Sequence, residues 1–196
     1  MTSEDRSRAV DALRQWMNGL YVETAETRAV ADRLTEIVQE NSETGPGAKA
    51  IASVTGASTL GKSTAVRRWA TRKYVEWIVG APKGPAELPT WNPQPTIDAD
   101  LCPVVWVNLQ SGSMVKGFNS QVLDFFRLSA SGAAHQTSTA AVRALARHGV
   151  RTLLIDDFHL LRTNWKGGRE VLDHVKYMNT ELGEFNASLI DRKSVV

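Results

Sequence analysis

The stretch "GASTLGKST", residues 56–64, constrains the fold of this chain more than any other feature. Its first eight residues match the pattern G-x-x-x-x-G-K-[ST]. The apolar run before it predicts a short buried strand over 50–56, and the spacing of apolar residues after it predicts a helix over 61–79. The two glycines allow successive backbone N–H groups to turn inward at the helix N-terminus. The stretch therefore predicts a phosphate-binding loop. The alternative is a glycine turn that caps a helix and binds nothing.

The residue types in this loop indicate a nucleoside triphosphate with Mg²⁺ as the ligand, and we expect ATP. Lys62 is placed to reach the β- and γ-phosphates, the Ser63 hydroxyl to bind Mg²⁺, and Thr64 to lie near the α-phosphate. The predicted nucleotide-binding residues are Gly56, Ala57, Ser58, Thr59, Leu60, Gly61, Lys62, Ser63, Thr64 and Asp156.

A second element of the predicted site is the strand "RTLLIDDF", residues 151–158, which is hydrophobic and ends in two acids. Asp156 is expected to hold Mg²⁺ through water, opposite Ser63. Asp157 is expected to position or deprotonate an attacking water, so Asp157 and Lys62 are the predicted catalytic residues. The alternative is that the acids only cap a turn or helix after the strand.

The order of elements predicts an α/β fold with three layers. Strands alternate with helices after residue 50, which is typical of a parallel sheet covered on both faces. Right-handed crossovers then place every strand's carboxyl end at one edge. We divide the chain into an N-terminal helical segment, 1–45, and a P-loop core, 46–196. Residues 80–95 contain five prolines and are predicted to be an exposed loop without regular structure. The other predicted elements are helices at 4–20, 24–41, 117–128, 138–148 and 168–182 and strands at 103–109 and from 186.

The composition fits an ordinary soluble protein, with 42% apolar residues, 22% charged residues and a net charge of +2. This charge is compatible with nucleic-acid binding but does not require it. The sequence shows neither a secretory leader nor an apolar run of membrane-spanning length. Its single cysteine, Cys102, cannot form an internal disulfide, and no zinc-like spacing is present. We therefore expect a cytoplasmic protein without a structural metal.

Three segments together resemble one family. The loop "GASTLGKST", the strand "TLLIDDFHLL" and the helix "LDHVKYMNTELG" are similar to the TniB-type, or TnsC-like, AAA+ ATPases of transposons. The likeness covers about residues 20–190 and includes His159 after the acids and "NTEL" at Asn179–Leu182. It implies a protein that binds double-stranded DNA in an ATP-dependent way and recruits or regulates a transposase. Hydrolysis would reset the assembly. By resemblance, its partners are DNA, a transposase of the DDE integrase type and other copies of itself.

Two departures from the family pattern leave turnover open. Asp157 stands where the family usually has glutamate, and a carboxylate displaced by about 1 Å can cost roughly a hundredfold in rate. After "NASLI" the sequence continues only with "DRKSVV", whereas the family continues to a sensor residue, an arginine finger and a helical lid. We expect a fragment that lacks these elements, or a minimal protein that closes its sheet differently. The alternatives to an ATPase are a nucleotide-binding module without turnover and a P-loop kinase for a small molecule.

Several other residues have both a functional and a structural interpretation. The basic residues after the loop could contact a DNA backbone or form a solvated helix face. His159 could sense the nucleotide or make a structural hydrogen bond, and Asn179 and Glu181 could be an exposed helix end. We interpret the tryptophans of the helix predicted over 61–79, Trp69 and Trp77, as core or interface, and Cys102 as inert. The basic residues with two interpretations are Arg67, Arg68, Arg72, Lys73, Arg143, Arg147 and Arg151.

Overall fold

The computed structural model describes residues 3–57, 60–109, 115–157 and 166–193. Six helices and six strands lie within these ranges. In chain order they are α1 (Ser3–Gly19), α2 (Ala25–Glu43), β1 (Ala52–Val54), α3 (Lys62–Ile78), β2 (Thr90–Gln94), β3 (Ile97–Asp100), β4 (Val104–Asn108), α4 (Val115–Phe125), α5 (Ala134–Arg147), β5 (Thr152–Asp156), α6 (Lys166–Glu184) and β6 (Ser188–Arg192).

Four of the strands form the central parallel sheet, in the order β1-β6-β5-β4. The register pairs Val54 with Arg192 across β1 and β6, and Asn108 with Asp156 across β4 and β5. Because all four strands run the same way, the segments that follow them meet at one edge of the sheet. The predicted parallel α/β sheet is confirmed.

Helices cover both faces of this sheet. The residues of β5 are buried at every position, as expected for a parallel strand between two helical layers. Leu153 and Ile155 face a large core formed with α4, α5 and α6, whereas Leu154 faces a smaller core formed with α2 and α3. This alternation follows from the two-residue period of a strand. The three-layer architecture is confirmed.

The prediction for residues 80–95 was wrong in part, because Thr90–Gln94 is a strand. It pairs with Ile97–Asp100 in an antiparallel two-stranded sheet, and the register shifts between Trp91 and Gln94, around Pro93. A two-stranded ribbon pairs each strand on one side only, so it can accommodate a proline that a central strand could not. The Trp91 Nε1 donates to the Arg147 carbonyl at 2.9 Å and ties this hairpin to the end of α5.

The two N-terminal helices differ in how they pack. The helix α2 contributes Leu34 and Val38 to the smaller core. By contrast, the large apolar side chains of α1 are between 41% and 63% exposed; they belong to Val10, Leu13, Trp16 and Met17. None of the described helices combines the length and the hydropathy needed to cross a membrane.

Candidate nucleotide-binding site

The predicted phosphate loop connects β1 to α3. Gly61 adopts a left-handed conformation, with φ of 74°, directly before the first residue of α3, and it makes no side-chain hydrogen bond that would cap the helix. Within the part of the chain that the structure describes, the first-turn N–H groups therefore have no acceptor from the N-cap side chain. Gly56 has a φ of 154°, a region that residues with a Cβ rarely adopt. Ser58 and Thr59 lie outside the described residues, so the structure does not place these two predicted contacts.

The amine of Lys62 lies over the loop itself. Its Nζ donates to the Ala57 carbonyl at 2.5 Å. Ser63 and Thr64 follow in the first turn of α3, where Ser63 is half-buried and Thr64 is exposed. The loop thus brings together an uncapped helix start, an ammonium group and a hydroxyl, which are the groups that bind a phosphate and its metal ion.

The two acids lie at the carboxyl end of β5 in different surroundings. Asp156 is the last residue of the strand and only 5% exposed, and its Oδ1 accepts the N–H of Asp157 at 2.8 Å. Asp157 has a φ of 55°, which is uncommon for a residue other than glycine, and its side chain is 38% exposed. The chain therefore turns sharply after Asp156, leaving one acid within the sheet edge and the other near the surface.

Sequence reasoning missed Arg192, which joins the two acids. Its Nε donates to Oδ1 of Asp156, and its Nη2 donates to Oδ1 of Asp157 at 2.8 Å. Arg192 ends β6, the strand between β1 and β5. The guanidinium thus arises from the strand that separates the loop from the acids. Its only signal in the sequence is a basic residue near the end of the last predicted strand, which has meaning only once the strand order is known.

Asn108 is a second residue of this edge that the sequence analysis did not single out. It ends β4 and lies opposite Asp156 in the register. Its Oδ1 accepts the Trp106 Nε1 at 2.9 Å, and the next backbone N–H, of Leu109, donates to the Asp156 carbonyl at 3.1 Å. A polar residue at the end of the apolar run "PVVWVN" was the available signal.

The segment "NTELG" holds the chain that leads into β1. Asn179 is 5% exposed, and its Nδ2 donates to the Lys49 carbonyl at 2.8 Å. A Cβ added at Gly183 would lie 1.7 Å from the Gly47 carbonyl oxygen, so only glycine allows this close approach. The exposed-helix-end interpretation is therefore wrong for Asn179, while Glu181 is half-buried. This segment of α6 positions the strand that precedes the loop.

The four basic residues after the loop all contact other side chains of the chain. The run is therefore not simply a solvated helix face, because each of its side chains has a partner within the chain. Arg67 lies over the Trp106 ring at 5.6 Å, Arg68 lies over Tyr21 at 4.3 Å, Arg72 pairs with Glu23 at 3.2 Å, and Lys73 pairs with Glu76 at 2.9 Å.

Other residues named from the sequence have mainly structural surroundings. Trp69 is buried, and its Nε1 donates to the Thr35 hydroxyl at 3.0 Å; Trp77 is half-buried beneath Arg151. Burial raises the pKa of the Cys102 thiol to about 11, which agrees with the expectation of an inert cysteine. His159 lies outside the described residues.

A cavity of about 730 Å³ lies away from this site. It lies between the β2–β3 hairpin and α5, where Asp98, Arg143 and Arg147 contribute to its lining. None of the loop or strand-end residues described above lines it. The site is therefore located by its chemistry rather than by cavity size, since a phosphate loop binds its ligand through backbone N–H groups at the surface.

The residues at this edge fit a magnesium nucleotide. The uncapped start of α3 and Lys62 suit the phosphates. The Ser63 hydroxyl and the Asp156 carboxylate are the hard oxygen ligands that Mg²⁺ prefers. The Arg192 contact occupies one oxygen of Asp156, so this carboxylate is already engaged by a cation.

Comparisons with known proteins agree with this arrangement. The profile of the family "Bacterial TniB protein" matches residues 13–184, and no curated protein sequence matches the chain. Among solved structures, the Aeropyrum pernix ORC2 protein, in ADPNP–ADP complexes, superposes with a TM-score of 0.58 at 13% identity. The superposition covers 89% of this chain and 42% of that one, so the chain spans less than half the length of ORC2. At this identity the likeness concerns the fold, which is that of AAA+ P-loop proteins. The chain belongs to the TniB family and has the AAA+ P-loop fold.

Proposed function

We propose that this chain binds ATP with Mg²⁺ at the loop 56–64 and uses the bound nucleotide to control its association with double-stranded DNA and a transposase. The observation that carries the ATP site is the strand order β1-β6-β5-β4. It brings the loop after β1 and the acids after β5 to one edge of the sheet, although about ninety residues separate them in the sequence.

Each residue of the proposed site has a separate part in binding. The N–H groups of Gly56–Thr64 surround the phosphates, and Lys62 pairs with the β- and γ-phosphates. The hydroxyl of Ser63 and, through water, the carboxylate of Asp156 would hold Mg²⁺, which supplies positive charge that shields the triphosphate. The ORC2 protein was solved in complexes with ADPNP and ADP, which supports an adenine nucleotide as the ligand here.

In the proposed ATPase cycle, Asp157 positions or deprotonates the water that attacks the γ-phosphate. The water oxygen bonds to the γ-phosphorus while the bond to the bridging oxygen of the β-phosphate breaks. Inorganic phosphate is then released, and ADP remains in the loop. The alternative function is a nucleotide-gated binding module without turnover. The observation that favours this alternative is that the short Asp157 side chain is held by Arg192 at 2.8 Å and must leave this contact before it can act on water.

The proposed partners rest on membership of the TniB family. By resemblance to the transposition ATPases, the proposed partners are double-stranded DNA, a transposase and other copies of this chain. The exposed apolar face of α1, which includes Leu13, Trp16 and Met17, is a surface of the kind used in protein–protein contacts. A cytoplasmic location is part of the same proposal.

The direct test measures ATP binding, DNA binding and phosphate release on one preparation. We expect double-stranded DNA to be retained more tightly with Mg–ATP than with Mg–ADP, and DNA to stimulate phosphate release. Lys62→Ala should lose the nucleotide effect, with Lys83→Ala, an exposed lysine far along the chain, as the matched control. Tight ATP binding without phosphate release would support the binding module. DNA binding that is the same with and without nucleotide would contradict the proposal.

A further inference from the structure

The cavity of about 730 Å³ between the β2–β3 hairpin and α5, here called the hairpin groove, has an apolar floor. Leu123 and Ala144 in this floor are almost fully buried, and Phe126 beside them is half-buried. Leu128, which is 44% exposed, adds an apolar side chain at the surface. The hairpin groove is therefore a place where a second apolar surface can be removed from water.

The two walls of the hairpin groove carry opposite charges. Arg143 and Arg147 lie one turn apart on α5 and line one wall, whereas Asp98 and Asp100 of β3 line the other. All four residues are exposed, and within the part of the chain that the structure describes no ion pair joins the two walls. A segment bound in the groove thus meets cations on one side and carboxylates on the other.

The helix α1 presents an apolar face of the kind that binds in a groove. Val10, Leu13 and Met17 follow the spacing i, i+3, i+7, and Trp16 extends the same stripe. These four side chains are between 41% and 63% exposed, so the described chain does not cover them. Helices that bind grooves are anchored by residues at this spacing.

The charges beside this stripe match the two walls of the hairpin groove. At 3.6 residues per turn, Asp5 lies on one side of the stripe and Arg14 lies on the other. Arg14 contacts Asp11 at 3.5 Å, but both side chains are more than 60% exposed, and an ion pair so exposed contributes little to stability. With Asp5 towards the arginines and Arg14 towards the aspartates, only one direction of the helix along the groove satisfies both walls.

The layers of the fold favour a second copy as the source of this helix. The chain passes from α1 through residues 20–24 into α2, which packs in the smaller core on one face of the sheet. The helix α5 packs in the larger core on the opposite face. The sheet therefore separates the attachment point of α1 from the hairpin groove of the same chain.

We propose that α1 of one copy binds in the hairpin groove of a second copy, with its apolar stripe on the groove floor. This inference rests on the self-association included in the proposed function and names the two surfaces that meet. Because the two surfaces differ, the contact repeats from copy to copy and produces a chain or a closed ring. It requires neither nucleotide nor DNA.

The first experiment measures self-association by sedimentation velocity at low salt, without nucleotide or DNA. Leu13→Asp places a charge in the apolar stripe and should weaken the wild-type association by about 30-fold. Val75→Asp is the matched control, because Val75 on α3 has the same 54% exposure as Leu13. It should associate as the wild type does.

The groove is tested in the same assay by the double variant Arg143→Glu with Arg147→Glu. Reversing this wall repels Asp5 and should weaken association by roughly tenfold or more. Lys83→Glu with Lys176→Glu reverses two exposed lysines outside the groove and is the matched control. Since all these side chains lie at the surface, the fold should persist, and circular dichroism checks it. Trp16→Ser and Leu128→Asp replace any variant that does not fold.

The decisive experiment mixes the two defective proteins. Leu13→Asp retains an intact groove, and the arginine double variant retains an intact α1, so the mixture should form a one-to-one complex that neither protein forms alone. The complex should stop at two chains, because each partner then has only its defective surface left. Pairing of α1 with α1 would leave the mixture dissociated and would overturn the inference.

Two other results would also overturn it. A wild-type protein that stays monomeric at every concentration would show that α1 binds its own chain or another partner. Association that is unchanged in both defective variants would show that other surfaces meet. The proposed function fails in a different way, through ATP or DNA binding that is absent. The mixing experiment contains neither ligand and still tests the contact between α1 and the groove.

Discussion

The two halves of the candidate site are built in different ways. The loop half follows β1, a strand of three residues at one end of the described sheet, and Lys62 contacts only its own loop in the hydrogen bond seen here. The acid half follows β5, which is paired on both sides and fully buried. The loop half is formed by consecutive residues, whereas the acid half is formed by the ends of three strands, which bring together Asn108, Asp156 and Arg192.

The largest effect should come from the acid half. Asp157→Asn keeps the size of the side chain but removes the proposed base, so phosphate release should fall by about 100- to 10,000-fold. ATP affinity should stay within about threefold of wild type, because the role proposed for Asp157 does not include binding the phosphates. A phosphate-release assay beside an ATP titration separates the two effects. Asp124→Asn, an exposed acid on α4, is the control, and unchanged release in Asp157→Asn would exclude it as the base.

The next largest effect should come from the loop half. Lys62→Ala removes the proposed charge-assisted contact to the triphosphate, worth up to about 3 kcal/mol, so ATP affinity should fall by about 100-fold. The fold should persist, because the amine contacts only the Ala57 carbonyl in the described structure. Equilibrium titration with a fluorescent ATP analogue measures the change. Affinity within threefold of wild type would remove the loop from the site.

The core beneath the acid half should also respond to pH. Burial lowers the pKa of His174, on α6, to about 4. Its Nε2 donates to the Asn119 Oδ1 at 2.8 Å, an assignment that follows because the Asn119 Nδ2 donates to the Ser138 hydroxyl. The folded protein thus favours the neutral ring. Its stabilisation is complete above the ordinary pKa of about 6.5 and is lost as the pH falls from there towards 4.

Melting curves between pH 7.5 and 4.5 would test this prediction. His174→Gln retains a donor for Asn119 but does not titrate, so its melting temperature should fall less steeply with acid than that of the wild type. His135→Gln changes an exposed histidine and should keep the wild-type slope. Parallel slopes for the wild type and His174→Gln would show that the buried ring does not control acid stability.

The smallest effect is expected in the core beneath the loop half. Thr35→Val removes the hydroxyl that accepts the Trp69 Nε1 between α2 and α3. Leaving this donor unpaired should cost about 1 kcal/mol, or roughly 2–4 °C in melting temperature. Thr71→Val, which loses only a bond to the Arg67 carbonyl on an exposed turn, provides the comparison and should change less. Equal losses in both variants would mean that the indole bond contributes nothing measurable.

The difference between the halves also explains what the sequence could predict. The strand, loop and helix at Gly56–Thr64 were recognisable because their chemistry is contiguous, and β5 was recognisable because a parallel strand is apolar along its whole length. Arg192 was not, because its role depends on β6 lying between β1 and β5. The buried hydrogen bond of Asn179 was not predicted, because its partner, the Lys49 carbonyl, is distant in the sequence.

The β2–β3 hairpin shows another limit of reading sequence. Pro93 and the other prolines of 80–95 indicate irregular backbone, and this rule holds for central strands. It fails here because the ribbon is two-stranded and anchored by the Trp91 indole on the α5 carbonyl end. The roles of Ser58, Thr59 and His159, and the division of the chain at residue 45, stay predictions.

The pairing of β1 with β6 has a consequence for synthesis on the ribosome. Ala52 pairs with Ile190, so β1 has no strand to pair with until β6 has been synthesised, nearly 140 residues later. At about 5–20 residues per second, synthesis of this stretch takes roughly 7–30 s. During that interval β4 and β5 are synthesised and can pair with each other, but β1 has no neighbour. The proposed nucleotide pocket is thus among the last parts of the domain to form, and ATP bound there would not assist the earlier steps of folding.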